Sequence, residues 1–101
     1  WIDGDIERRI DADVVTVWQA VRESARELNL EIETDRIDGL EGRLVARRSD
    51  GQTVRVQARG TGSVSTVISI RVGLGDKSKS RAIMRRIELA LPPGTPASRE
   101  V

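Results

Sequence analysis

Residues 38–60, DGLEGRLVARRSDGQTVRVQARG, alternate in character on either side of Ser49-Asp50-Gly51. Leu44 and Ala46 before the break, and Val54, Val56 and Ala58 after it, are apolar and all even-numbered. The odd positions between them carry Arg43, Arg47, Arg55, Gln57 and Arg59. A period of two with one apolar face describes a half-buried β-strand, so the stretch predicts two strands joined by a turn. Parity then selects the turn. A two-residue Asp-Gly loop would set even against odd residues and send the apolar side chains to opposite faces. A three-residue loop, with Gly51 in the left-handed position, keeps even opposite even and pairs Ala46 with Val54 and Leu44 with Val56.

The same parity continues in both directions. Upstream it takes in Leu30, Ile32 and Thr34, and downstream Val64, Thr66, Ile68, Ile70 and Val72, with turns expected at Asp38-Gly39-Leu40 and Gly60-Thr61-Gly62. A three-residue turn at Asp38-Gly39-Leu40 would pair Ile32 with Ala46 and Thr34 with Leu44. On the outer face it would set Glu31 against Arg47 and Asp35 against Arg43. The expected product is an antiparallel meander with one buried face.

Flanking segments complete the domain. IDGDIERRI, residues 2–10, also alternates and reads as a strand, with Arg8 interrupting its apolar side. In DADVVTVWQAVRESARELNL the period changes: Val14, Val17, Trp18, Val21, Ala25 and Leu28 fall on one helical stripe. Asp13 is the expected N-cap, and Asn29 the left-handed residue that ends the helix, with Leu30 as its apolar contact. A second helix is expected from Asp76 or Lys77 to Leu91, burying Ser80, Ile83, Met84, Ile87, Ala90 and Leu91, and Pro92-Pro93 stops it. The predicted fold is a two-layer α+β sandwich, β-α-β-β-β-β-α, with both helices on one face of an antiparallel sheet and Trp18 between the layers. Residues 1–91 form the single domain, and 92–101 a flexible C-terminal tail.

Composition narrows the chemistry. Among 101 residues there is no cysteine, histidine or tyrosine. Thiolate or imidazole metal sites, disulfides and the commonest general base are therefore excluded, and no enzyme is expected. Net charge is +1, but residues 1–41 hold 12 acids and 5 arginines while 42–101 hold 12 bases and 4 acids. Cross-strand pairing of the two halves accounts for that asymmetry, and two aromatic residues are few for a nucleic-acid surface.

The most motif-like segment, RVGLGDKSKSRAIMRRIELAL at 71–91, fails as a phosphate loop. A Walker-type loop needs lysine directly after its second glycine, and Asp76 follows Gly75. The dinucleotide fingerprint fails as well, because Ser78 stands where the third glycine belongs. A strand exit capped by Asp76 explains the stretch, with Lys77, Lys79 and Arg81 as the cations an anion would use instead. Asp3, Asp5 and Glu7 share one strand face but lack the glycine and wider ligand set of a calcium loop. No cofactor or metal is expected.

What remains is a surface. The outward sheet positions Arg43, Arg47, Arg55, Arg59 and Arg71, around Val45 and Val67, form a candidate interaction surface, since arginine forks suit carboxylate-bearing partners. The expected role is a non-catalytic module that binds a protein or a polymer. The alternative is an anion-binding module, for nucleic acid or lipid headgroups, through the second helix and the sheet.

Across residues 2–91 the chain resembles a family of small bacterial lipoproteins known only as a domain of unknown function. The resemblance rests on VWQAVRESARELNL, on DGLEGRLVARRSDGQTVRVQARG, and most specifically on VSTVISIRVGLGDKSKSRAIMRRI. Its closing strand, glycine-rich turn and Ser-Arg-x-Ile helix are matched by Ser80, Arg81 and Ile83. It implies a signal peptide and a lipidated cysteine upstream of Trp1, hence a location in the cell envelope on the periplasmic side. It implies no catalytic residues. The layout is also similar to the helix-grip domains of some envelope lipoproteins.

Overall fold

A computed structural model describes residues 5–61 and 64–95, and the backbone of 99–100. Its elements are β1 (Ile6–Ile10), α1 (Val14–Glu27), β2 (Glu31–Asp38), β3 (Glu41–Arg47), β4 (Thr53–Gly60), β5 (Thr66–Val72), α2 (Lys77–Ala90) and β6 (Arg99–Glu100). The strands make one antiparallel sheet in the order β2-β3-β4-β5-β1-β6. The meander β2 to β5 runs in chain order, and β1, first in sequence, docks beside β5 with Ile6 opposite Ile70 and Ile10 opposite Thr66. This is the predicted β-α-β-β-β-β-α order, with a two-residue strand added from the C-terminal segment alongside Arg8 and Arg9. Ile2, Asp3 and Gly4, the start of the expected first strand, lie outside the described residues.

In β3, β4 and β5 burial alternates residue by residue. Leu44, Ala46, Val54, Val56, Ala58, Ile68, Ile70 and Val72 face inward and join Val17, Trp18, Val21, Ile83, Met84 and Ile87 from the helices in one core. Val64, expected within the last strand, is 72% exposed, because that strand begins at Thr66.

Both helix starts follow their capping residues. The Asp13 carboxylate accepts from the Thr16 backbone N–H at 3.1 Å, and that of Asp76 from Lys79 N–H at 3.0 Å. A side-chain oxygen there satisfies a donor that the first turn leaves free. Helix α1 ends as expected: Asn29 adopts φ 55°, and Leu30 N–H reaches back to Ala25 C=O at 2.9 Å. Leu30 then folds against the core. Leu91 turns to extended backbone at the end of α2, the conformation favoured before a proline such as Pro92. Arg86 of α2 pairs with Glu27 of α1, tying the two helices together at their solvent side.

The β3–β4 turn keeps the predicted register, Ala46 opposite Val54 and Leu44 opposite Val56, closed by Arg48 N–H to Gln52 C=O at 2.9 Å. The β2–β3 hairpin departs from prediction. Its loop is the two residues Gly39 and Leu40, with Asp38 opposite Glu41. That shifts the ladder by one residue, and Glu33 absorbs the shift as a bulge between Ile32 and Thr34. Glu31 and Ile32 still pair with Arg47 and Ala46, but Thr34 faces Val45 and Asp35 faces Leu44 rather than Arg43. Asp35 is thereby turned from the outer face toward α1, and Leu40 is left 54% exposed. A bulge and a charged sequence on an edge strand also discourage pairing with another chain.

Candidate functional site

Helices cover one face of the sheet, and the odd-numbered side chains populate the other. On that open face is a concavity of about 600 Å³ spanning β3, β4, β5 and the start of β1. Arg43, Arg55, Arg59 and Arg71 line it, together with Gln57, Ser69, Val67 and Thr61. Asp5, Glu7 and Glu41 supply acids along its border, and the backbone at Gly42 and Ala58 contributes to the floor.

Four of the five arginines expected from sequence are thus brought together. Arg47 is not among them: it sits at the end of β3 and bonds Glu33 at 3.0 Å, the partner that the bulge presents. Val67 lies in the concavity, while Val45 is half-buried outside it. Gln57, Ser69 and Glu41 were not assigned to the surface from the sequence, and Asp5 and Glu7 were weighed there only as calcium ligands. Parity could have found Gln57 and Ser69, since even-with-even pairing places both on the arginine face. The docking of β1 beside β5, which brings Asp5 and Glu7, has no local signal.

Within the site the arginines differ. Arg71 is held: one nitrogen donates to Leu74 C=O at 2.9 Å and another lies 3.5 Å from Asp5, which also accepts from the Ser69 hydroxyl at 3.3 Å. Arg43, Arg55 and Arg59 form no ion pair among the described residues. Register sets Arg43 and Arg55 against like charges, whereas Arg59 faces Glu41. Arg55 lies directly opposite Arg71, and Arg43 directly opposite Arg36. Like charges facing each other across strands destabilise a sheet, so neither pair is there for the fold.

Behind this face stands a polar cluster reached from α1. Trp18, 1% exposed, donates its indole N–H to Asp35 at 2.9 Å, and Arg22 grips the same carboxylate through Nε at 2.7 Å and Nη2 at 3.1 Å. The Arg22 hydrogen bonds hold the Asp35 carboxyl below its ordinary range, with Trp18 assisting and burial opposing. Asp13 and Asp50 are also lowered, through hydrogen bonds from Thr16 and from the Gln52 backbone N–H respectively. Carboxylates whose folded-state pKa is depressed contribute stability above their unfolded value, near pH ~4, and lose it as pH falls through the folded value. Urea unfolding from about pH 7 to about pH 2 should therefore show a midpoint that drops below pH ~4. Asp35→Asn should lower stability at neutral pH and flatten that drop, and an unchanged acid profile would remove Asp35 from the cause.

Of the cations proposed on α2, one is engaged within the fold. Lys79 donates to Gln52 at 2.7 Å and to Asp50 at 3.3 Å, locking the β3–β4 turn to the helix start. Lys77, Arg81 and Arg85 are exposed. Asp5, one of the three acids weighed as calcium ligands, is engaged by Arg71 and Ser69. Among the described residues no group of three such side chains is placed to hold a metal, and no helix is long and apolar enough to cross a membrane.

These features define a two-layer α+β domain whose sheet presents an uncovered, arginine-rich concavity. A family model matches residues 1–90, and the chain belongs to that family, described as Protein of unknown function (DUF3568). No curated protein matches the chain.

Proposed function

We propose that the domain is a non-catalytic binding module of the bacterial cell envelope, and that the open sheet face is its contact surface. The observation that carries this is the pair of like-charged contacts, Arg55 opposite Arg71 and Arg43 opposite Arg36, at the centre and flank of a concavity. Cross-strand pairing of this kind does not favour the fold, and, with Arg71 already compensated by Asp5, a partner bearing carboxylate or phosphate groups would relieve Arg55 and Arg43. Arginine's planar fork suits such partners, and the mixed-charge border suits a protein or decorated polymer better than a bare polyanion. The envelope location, with attachment only through a lipid on a segment upstream of the chain, is supported by the resemblance to bacterial lipoproteins. Engagement of Lys79 by Asp50 and Gln52 favours the sheet over α2 as the place where anionic groups bind.

The test is Arg43→Glu combined with Arg55→Glu. Partners recovered with the wild-type domain from envelope extracts should be lost with the double variant, and lost also when salt is raised, as expected for charge-led contact. Retention of every partner by the double variant would overturn the assignment of the surface.

A further inference from the structure

We infer that the centre of this face, over Gln57, is a binding site for one doubly charged oxyanion, a phosphate monoester. The inference rests on the proposed use of the open face and names the group that the partner presents there.

The register supplies the geometry. Gln57 lies between Arg55 and Arg59 on β4, directly opposite Arg43 on β3 and directly opposite Ser69 on β5. Same-face neighbours along a strand are ~7 Å apart and directly paired neighbours ~5 Å apart, so three arginine side chains are rooted on three sides of Gln57, within reach of one ligand above it. All three are exposed, and none has an ion-pair partner among the described residues. Gln57 adds an amide donor and Ser69 a hydroxyl. A single carboxylate has two oxygens and one charge, too few for three forks; a phosphate monoester offers three oxygens and a second charge.

The acids set the size of the ligand. Glu41 stands opposite Arg59, and Glu7 stands opposite Ser69. A polyanion laid across the sheet would meet both carboxylates, while one anionic group over Gln57 would stay inside the ring of arginines. The site therefore takes an isolated phosphate monoester rather than a nucleic-acid backbone.

The experiment is a titration of the ¹⁵N-labelled domain at constant ionic strength with inorganic phosphate, with acetate, and with chloride as reference. Vesicles of phosphatidic acid in phosphatidylcholine, which carry a terminal phosphate monoester, form a separate arm. Phosphate should move the Gln57 side-chain amide and the Nε–H signals of Arg43, Arg55 and Arg59 together and saturably. Acetate should bind at least about tenfold more weakly, and Gln57→Leu or Arg43→Gln should weaken phosphate by about tenfold. Vesicle binding that phosphate competes away would identify a lipid headgroup as the source; phosphate binding without vesicle binding would identify a soluble or polymer-borne ester. Equal responses to phosphate, acetate and chloride, or none, would overturn the inference. Should that occur while Arg43→Glu/Arg55→Glu still abolishes partner recovery, the contact surface stands and only the oxyanion site falls. Saturable phosphate binding with partner recovery unaffected by the double variant separates the two the other way.

Discussion

Trp18→Ala should cost about 3–5 kcal/mol, the range for removing a fully buried large aromatic side chain. The ring is 1% exposed and packs among residues of both layers, so little collapse is available to close the void. Truncation also strips Asp35 of the indole donor at 2.9 Å and leaves the carboxylate to Arg22 alone. Trp18→Phe separates the two contributions, because it keeps most of the apolar area and loses the hydrogen bond; a net loss of about 1–2 kcal/mol is expected from it. Urea unfolding of the two variants measures both. A cost below about 1 kcal/mol for Trp18→Ala would show that the ring does not join the helix to the sheet.

Gly42→Ala should be the most damaging single methyl addition in the domain, at about 1–3 kcal/mol. A Cβ built at Gly42 falls 2.6 Å from Trp18 Cε3, 2.8 Å from Cζ3 and 2.9 Å from Cδ2. Real Cβ atoms do not approach so closely, and the ring has nowhere to retreat, since its nitrogen is bonded and its other side is core. Glycine is required here for the closeness of the indole and not for its backbone angle. The test is a double-mutant cycle. In a Trp18→Leu background Gly42→Ala should become nearly neutral, giving a coupling of about 1–3 kcal/mol. Equal costs in both backgrounds would contradict the contact. The cycle bears on the site too, because the Gly42 backbone contributes to the floor of the arginine concavity while Trp18 supports it from behind.

The legible part of this fold was the part with an uninterrupted period. Alternation in β3, β4 and β5 named the buried face and, through parity, the turn at Ser49-Asp50-Gly51. Asp13, Asn29 and Asp76 announced the helix ends that the structure shows. Parity failed at β2 because a bulge resets it. Glu33 and Thr34 are both polar, so the inserted residue is marked only by the switch from even-numbered Ile32 to odd-numbered Ile37 on the inner side, and the two-residue loop at Gly39-Leu40 became acceptable only with it. The largest consequence was at Asp35, which, expected in a surface pair with Arg43, instead anchors Trp18 and Arg22. For the candidate site, the arginines were visible as odd-numbered positions on strands of known parity. Their border was not, because Asp5 and Glu7 arrive through pairing between the two ends of the sequence. The separation of Arg47 from the other four follows from the same bulge.

The central claim is that Arg43 and Arg55 of the open face serve a partner and not the fold, and the stability of Arg43→Glu/Arg55→Glu tests it most directly. Each reversal replaces a like-charge cross-strand pair, with Arg36 or with Arg71, by an opposite-charge pair. Such pairs are worth roughly 0.2–1 kcal/mol each, so urea unfolding should find the double variant at least as stable as the wild type. A loss of more than about 1 kcal/mol would contradict the account and return these arginines to a structural role.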